Sequence, residues 1–534
     1  MQVHRAHRPL IIGREGAVAS NHPLASQTGV EILKAGGNAV DAAVAISLML
    51  GVVEPHMSGL GGDGFYHTFQ AANGNGQVYN GAGLPPRGSR ARFTDAMPLF
   101  GPLSASVPGA LAALSTMHLS EGTLPWRDLC RPAIRAARHG FGVTFSYYRF
   151  AGRYADRLLK DAHSRNIYLH DGAVPAIGSM IVQETLAQTL EMLADEGADT
   201  LYRGALSERM ADDLHACGVP ISQADLAAHQ SEVTQPISIR YRGFEVRQTP
   251  PNSTGFVHLQ TLKIIENFDM SKYEHLSPEV LHILIEAKKL AFRDRERFAT
   301  DPNWRDIPVQ HLLSDAYTRS LFNEIDTQKA AEISLKVAGR SANTTYFCVM
   351  DKHGNAVSAI QSLNNAFGSC VTLPSTGILM NNRMTCWHLD EDHANALADG
   401  KRVRHTMNAP MILKDGRVWG LFGTPGADDQ IQTNLQIAVG LMDFDLDPQS
   451  LLEAPRWSSD QAAQEANWPH GGGDTLTVES DMPQHTVDVL QTRGHTLRSV
   501  PPLEGPCSAA CIRTSNGAYI AGSDPRRDGW AAAF

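Results

Sequence analysis

The chain has 534 residues, 43% apolar and 19% charged, with a formal net charge of −10. That length allows one or more large cores and up to about three domains. The acidic balance excludes the dense Lys/Arg surface that nucleic acid or an anionic membrane requires, which leaves small-molecule chemistry as the expectation.

The first residues, MQVHRAHRPLIIGREG, hold only a four-residue apolar run, so no signal peptide is expected. The longest apolar stretch, Ala42 to Val53, falls short of the ~20 residues a membrane-spanning helix needs. Seven cysteines without CxxC spacing read as free thiols of a reducing compartment, not as a disulfide frame. The expectation is a soluble, cytoplasmic protein with no membrane or nucleic-acid partner and no metal or other cofactor.

Residues 19–50 open with a Ser/Asn-rich entry and continue as a helical pattern, in which Asp41 interrupts a broad apolar stripe. A formal G-x-G-x-x-G comes next, at Gly59, Gly61 and Gly64. A helical pattern precedes it and the strand-like Phe65–Phe69 succeeds it, the reverse of a dinucleotide-binding turn, so it reads as a tight loop. Arg87, Arg90 and Arg92 read as a solvated basic face, with an anionic pocket as the alternative.

Helices are predicted at Pro108–Leu119, Trp126–Arg138, Ile181–Asp195, Ser207–Ala216, Pro278–Phe298 and Ser314–Asn323, with a strand pair over Ile237–Thr249. Residues 326–343 are polar and read as a mobile linker. It runs into Asn343–Gly368, which reads as a β-hairpin: Thr345–Met350 rich in β-branched and aromatic residues, a turn at Asp351–Asn355, and a return over Ala356–Leu363.

Beyond the hairpin, Gly377–Asn382 reads as a short strand. His388, Asp390, Asp392 and His393 crowd ligand-type side chains together without metal-site spacing, so a polar loop or lid is expected there. A second hairpin joins Met411–Lys414 to Val418–Phe422. The GTPGADDQ turn after it opens a helix and aims backbone N–H groups at an anion or a developing oxyanion. The chain ends on a strand near Tyr519–Arg526.

Three segments together resemble the γ-glutamyltranspeptidase family: GGNAVDAAVAISLMLGVVEPHMSGLGGDGF (Gly36–Phe65), NTTYF (Asn343–Phe347) and GTPGADDQ (Gly423–Gln430). The resemblance runs from about Ala17 to the SDPRR near the end. It implies an α+β, four-layer αββα sandwich of the N-terminal-nucleophile hydrolase type. It further implies self-cleavage between Asn343 and Thr344, giving residues 1–343 and 344–534 as a heterodimer within one folded unit. A further pairing of such heterodimers is compatible with it.

Thr344 is then the nucleophile, and its freed α-amine is the base that a weakly acidic hydroxyl needs. Thr345 reads as a strand residue whose hydroxyl helps the cut. Ser362 stands where the family places an orienting threonine, Asn364 matches the family's asparagine, and Gly426 and Ala427 stand where two N–H groups form the oxyanion hole. His405 and Thr406 replace a Ser-Ser pair, and with Asn382 and Arg383 they are the expected substrate-binding residues.

Two departures bear on the substrate. The arginine that clamps a γ-glutamyl α-carboxylate falls on Ala82, and the acid that holds its ammonium falls on Cys386. Arg383 replaces a neutral glutamine, facing either an anionic substrate, with help from His405 or Arg404, or a partner such as Asp390 or Asp392. His405 is equally open to a structural role. The pattern resembles the branch that hydrolyses oxamate to oxalate and ammonia in purine degradation; γ-glutamyl transfer or glutathione hydrolysis and glutaryl-cephalosporin acylase activity are the alternatives.

Overall fold

The computed structural model describes residues 6–331, 343–460, 465–505 and 510–534. The expected hairpin lies at the middle of a seven-stranded sheet, with Asn343–Asp351 paired antiparallel to Ala356–Asn364. Asp351 builds the turn by accepting the N–H groups of His353 and Asn355 on one carboxylate oxygen. Gly16–Ser20 flanks the hairpin on one side and Asp63–Phe69 on the other. Trp530–Ala533 closes one edge, and Val78–Asn80 with Glu232–Thr234 the other.

A second seven-stranded sheet runs in the order Ile11–Gly13, Ala518–Ser523, Ala510–Ser515, Arg417–Gly423, Met411–Lys414, Phe244–Gln248, Ile237–Tyr241. Strand alternation decides how the two sheets stack. Tyr346, Cys348, Met350 and Ile360 point into an inter-sheet core with Met411, Leu413, Leu421 and Ile512. Phe347, Val349 and Val357 point the other way, onto helices that include Ala39–Val53. The second sheet covers its outer face with Gly255–Ile265, Pro278–Phe298 and Asp429–Met442. This is the αββα sandwich that the resemblance implies.

The Ala39–Val53 helix is apolar on all sides and buried over nearly its whole length, as a helix between layers must be. Its apparent flaw, Asp41, completes a capping box with Asn38. The same carboxylate also accepts the N–H groups of Thr123 and Leu124. Pro278–Phe298 forms as predicted. Most other predicted helices shift at one or both ends: Ala110–Glu121, Trp126–His139, Glu184–Glu196, Ala205–Ala216 and Asp315–Phe322.

Some expectations are corrected. Gly377–Asn382 is no strand: its backbone makes isolated bridges, Gly61 to Met380 and Thr372 to Leu379. The entry at residues 19–50 divides into a strand, Gly16–Ser20, and two helices, Pro23–Lys34 and Ala39–Val53. Most of the expected linker, residues 332–342, lies outside the described residues. No helix among the described residues is long and apolar enough to cross a membrane. Cys130, Cys217, Cys348, Cys370, Cys386 and Cys511 are free thiols, as expected.

Candidate active site

The hairpin's pairing is interrupted at its mouth. Asn343 lies opposite Asn364 and Thr345 opposite Gln361, so the register shifts around Thr344. Such an irregularity re-aims a side chain. The Thr344 hydroxyl donates to Ser362 Oγ at 3.1 Å, and Ser362 Oγ accepts the Asn364 N–H at 2.8 Å. Asn364 holds a left-handed backbone, φ 79°. Its amide Nδ2 lies within 3.1 Å of Asn382 O, Thr385 Oγ1 and Asn467 Oδ1. Three of the expected residues, Thr344, Ser362 and Asn364, are thus brought into one hydrogen-bonded chain.

The glycine loop owes its composition to close approach. A Cβ on Gly61 would lie 2.2 Å from Leu379 O, and one on Gly62 would lie 2.4 Å from Ser362 O. The loop packs backbone against Ser362 on the hairpin's returning strand and against Leu379, as a tight turn and not as a nucleotide cradle.

Arg383 lies beside this hydrogen-bonded chain and is 3% exposed. It pairs with neither Asp390 nor Asp392. Its Nε donates to Asp63 Oδ2 at 3.0 Å and its Nη1 to Asn364 Oδ1 at 3.1 Å. Its Nη2 is buried with no hydrogen-bond partner. His405 Nε2 lies 3.3 Å from the same Asp63 oxygen, while its Nδ1 accepts the Met407 N–H. The His405 ring is therefore neutral, protonated on Nε2, and burial holds its pKa down to about 4. Burial alone would raise Asp63; the His405 hydrogen bond and the Arg383 charge outweigh it and keep the carboxylate ionised.

The remaining expected residues form the walls. Asn382 Oδ1 accepts the Asn365 N–H and its Nδ2 donates to Leu99 O, so its amide is engaged at both ends. Thr406 is buried next to His405, and its carbonyl accepts from Asn408 Nδ2. Cys386 Sγ lies 3.3 Å from Asn467 Oδ1, and burial pushes its thiol pKa up. Ala82 is buried, with its carbonyl 3.3 Å from Arg402 Nε. Arg404 turns from the pocket to Glu296, Nη1 to Oε2 at 2.8 Å. Arg87 and Arg90 pair with Asp225 and Glu391 at the surface, the solvated face that the sequence suggests.

Gly426 and Ala427 form the turn before Asp429–Met442, with positive φ at both, 118° and 48°. The Gly426 and Ala427 carbonyls accept from Asp429 and Gln430, which sets the turn. A left-handed conformation costs a non-glycine residue on the order of 1 kcal/mol. An Ala427→Gly chain is therefore expected to keep the amide hydrolysis that the resemblance implies within about twofold and to gain up to ~1 kcal/mol of stability. Chemical denaturation with parallel rate measurements checks this. An activity loss above about tenfold would show that the Ala427 methyl has another role.

The expected polar loop at 388–393 is a ring stack. His388 lies 3.5 Å from His393, nearly parallel, and His393 Nε2 is 3.3 Å from Glu296 Oε2. His393 Nδ1 accepts the Asn395 N–H, so Nε2 carries the proton where a metal ligand would need a lone pair.

Three residues of this region escape sequence reasoning. Asp63 is hidden in a glycine run, and only the sheet register, which sets it opposite Ser362, reveals it. Asn467 arrives from a distant loop with no local signal. Glu54, at the end of the Ala39–Val53 helix, accepts the Thr345 hydroxyl at 2.7 Å.

Burial raises the Glu54 pKa from an ordinary 4.5 to about 7, against the lowering effects of Thr345 and Arg527. Between these values the folded chain holds a proton that the unfolded chain has released. Stability therefore falls as pH rises through that window. Glu54→Gln should remove this slope and leave the chain on the order of 2–3 kcal/mol more stable than the native protein at pH 8. Denaturation at pH 5 and pH 8 measures it; a native-like slope in the variant would refute it.

Residues 25–534 match the family model described as Gamma-glutamyltranspeptidase. The chain is 38% identical over 532 residues to a glutathione hydrolase-like YwrD proenzyme of Bacillus subtilis, covering 98% of this chain and 99% of that one. It is 32% identical to an oxamate amidohydrolase proenzyme of Klebsiella pneumoniae, covering 98% and 99%. The crystal structure of a cephalosporin acylase from Bacillus halodurans superposes with a TM-score of 0.90 at 33% identity, covering 99% and 98%. With the fold, these matches establish that the chain belongs to the γ-glutamyltranspeptidase family of amide-hydrolysing, N-terminal-nucleophile proenzymes.

Proposed function

We propose that the chain cuts itself between Asn343 and Thr344 and then hydrolyses the amide of a small carboxylate-bearing substrate, with oxamate, giving oxalate and ammonia, as the best candidate. The Thr344 hydroxyl attacks the amide carbonyl and passes its proton to the Thr344 α-amine. The Gly426 and Ala427 N–H groups receive the charge that develops on the carbonyl oxygen. The α-amine returns the proton to the leaving nitrogen, ammonia departs, and water releases the acid from the ester on Thr344. Ser362 and Asn364 hold the nucleophile in line.

One observation carries the choice of substrate: Arg383 Nη2 is buried beside Asn364 without a partner. A substrate carboxylate there gains a charge-assisted bond that no group of the protein supplies. Oxamate has its carboxylate directly on the reacting amide, which suits a guanidinium joined to Thr344 through Asn364 and Ser362. The γ-glutamyl alternative meets Ala82 and Cys386 where its charges need partners, and each unpaired buried charge costs roughly 3–5 kcal/mol. The relatives named for glutathione hydrolysis and cephalosporin acylation keep those activities as second readings.

The test is ammonia release from oxamate by the processed protein, run beside γ-glutamyl-p-nitroanilide. Turnover of oxamate supports the reading; efficient turnover of the anilide with none of oxamate overturns it. A denaturing gel tests the cut, which should give fragments of 343 residues and, from the 534 in the chain, the remaining 191. We further infer that the fragments stay together as a heterodimer and that the enzyme works in the cytoplasm.

A further inference from the structure

Arg383 is held at two corners of its guanidinium, and the third is buried without a partner. Asp63 takes Nε, Asn364 takes Nη1, and Nη2 has no partner. Asp63 itself is completely buried. Its Oδ2 is shared by Arg383 and His405, and its Oδ1 accepts the Gly83 N–H at 3.0 Å. The charged and titratable groups that face Asp63 and Arg383 are His405, whose ring lies edge-on to Phe65, and the Cys386 thiol, 3.7 Å from Arg383 Nη1 and kept protonated by burial. His405 is neutral because its Nδ1 already accepts from Met407. The cluster therefore carries one positive and one negative charge, and sums to zero before any substrate arrives.

This balance has a consequence for recognition. An arginine with a fully compensated charge reads hydrogen-bond acceptors, charged or not, by geometry. An uncompensated one favours anions strongly over uncharged isosteres. We propose that Asp63 is the positioning residue of the acyl pocket: it aims the free corner of Arg383 at the substrate and, by compensating its charge, sets how strongly the pocket prefers a carboxylate over a neutral amide. The proposal rests on the reading of Arg383 as the group that meets the substrate's acid end. His405 fixes the second lone pair of the shared oxygen and keeps the carboxylate from turning away.

The experiment compares kcat/KM for oxamate with that for oxamide, its uncharged diamide counterpart. Asp63→Asn removes the compensating charge at nearly constant shape. Absolute rates should fall as Arg383 loses its fixed aim, while the oxamate-to-oxamide ratio rises on the order of tenfold. A purely structural Asp63 would lower both rates by one factor, and a ratio unchanged within about twofold overturns the proposal.

If Asp63→Asn fails to self-cleave, Asp63→Asn combined with Arg383→Gln removes both buried charges together, which an interior tolerates better than removing one. Because Asp63 acts only through Arg383, that pair should show the same oxamate-to-oxamide ratio as Arg383→Gln alone, and a difference above about twofold overturns the proposal. If the native enzyme turns over neither amide, the substrate reading falls separately. The ratio is then read from thermal stabilisation by oxamate and oxamide as ligands, with the same outcomes deciding for or against Asp63.

Discussion

A Thr344→Ala chain is expected to remain a single polypeptide of 534 residues on a denaturing gel and to hydrolyse no amide above about one part in 10⁴ of the native rate. The reason is chemical. On the proposed mechanism the hydroxyl that attacks the Asn343 carbonyl during self-cleavage is the one that attacks substrate afterwards, so one substitution should remove both reactions. The structure supplies a control. Thr345, whose hydroxyl bonds Glu54 and not Ser362, should be replaceable by Ser with cleavage retained, because Ser keeps that hydroxyl. Cleavage of the Thr344→Ala chain at residue 343 would remove Thr344 from its proposed role.

Arg383→Gln carries the second large effect. It deletes the proposed carboxylate contact and leaves Asp63 buried with His405 and the Gly83 N–H but without its cation. A lost charge-assisted bond of about 3–4 kcal/mol lowers kcat/KM for oxamate on the order of 10²–10³-fold. Stability drops as well, since a buried carboxylate without its cation costs roughly 3 kcal/mol. Arg383→Lys should rescue little, because an ammonium cannot serve Asp63, Asn364 and a substrate in three fixed directions. Steady-state kinetics and melting curves of both variants check this. Native kcat/KM in Arg383→Gln would remove the guanidinium from the substrate's path.

Much of the frame is legible in the sequence because its signals are local. The hairpin announces itself through β-branched and aromatic residues before a turn at Asp351–Asn355, and the long Pro278–Phe298 helix through its apolar periodicity. The strands Gly16–Ser20 and Trp530–Ala533 do not, because short runs of Ala, Gly and Val adopt their pairing only through distant neighbours. The site divides in the same way. Thr344, Ser362 and Asn364 stand close along one hairpin and are found by motif. Asp63 and Asn467 reach the pocket from positions about 280 residues before and 123 after Thr344, and no spacing rule connects them. Arg383 is visible as a departure from the family pattern, but its partner is not. Ligand-type side chains beside it, Asp390 and Asp392, are nearer in sequence than Asp63 and do not meet it.

The strand order of the hairpin's sheet constrains the fate of the two fragments once the proposed cut is made. Trp530–Ala533, Asn343–Asp351 and Ala356–Asn364 would belong almost wholly to the later fragment, while Gly16–Ser20, Asp63–Phe69, Val78–Asn80 and Glu232–Thr234 belong to the earlier one. Strands of the two pieces alternate: Gly16–Ser20 is pinned between Trp530–Ala533 and Asn343–Asp351. A cut molecule cannot shed either piece without dismantling the ladder from its centre. Nor can separated pieces easily rebuild it, since the loop closure once supplied by a continuous chain is gone. The proposed cut would thus make unfolding harder to reverse, so stability differences among variants are best measured on chains kept whole by Thr344→Ala.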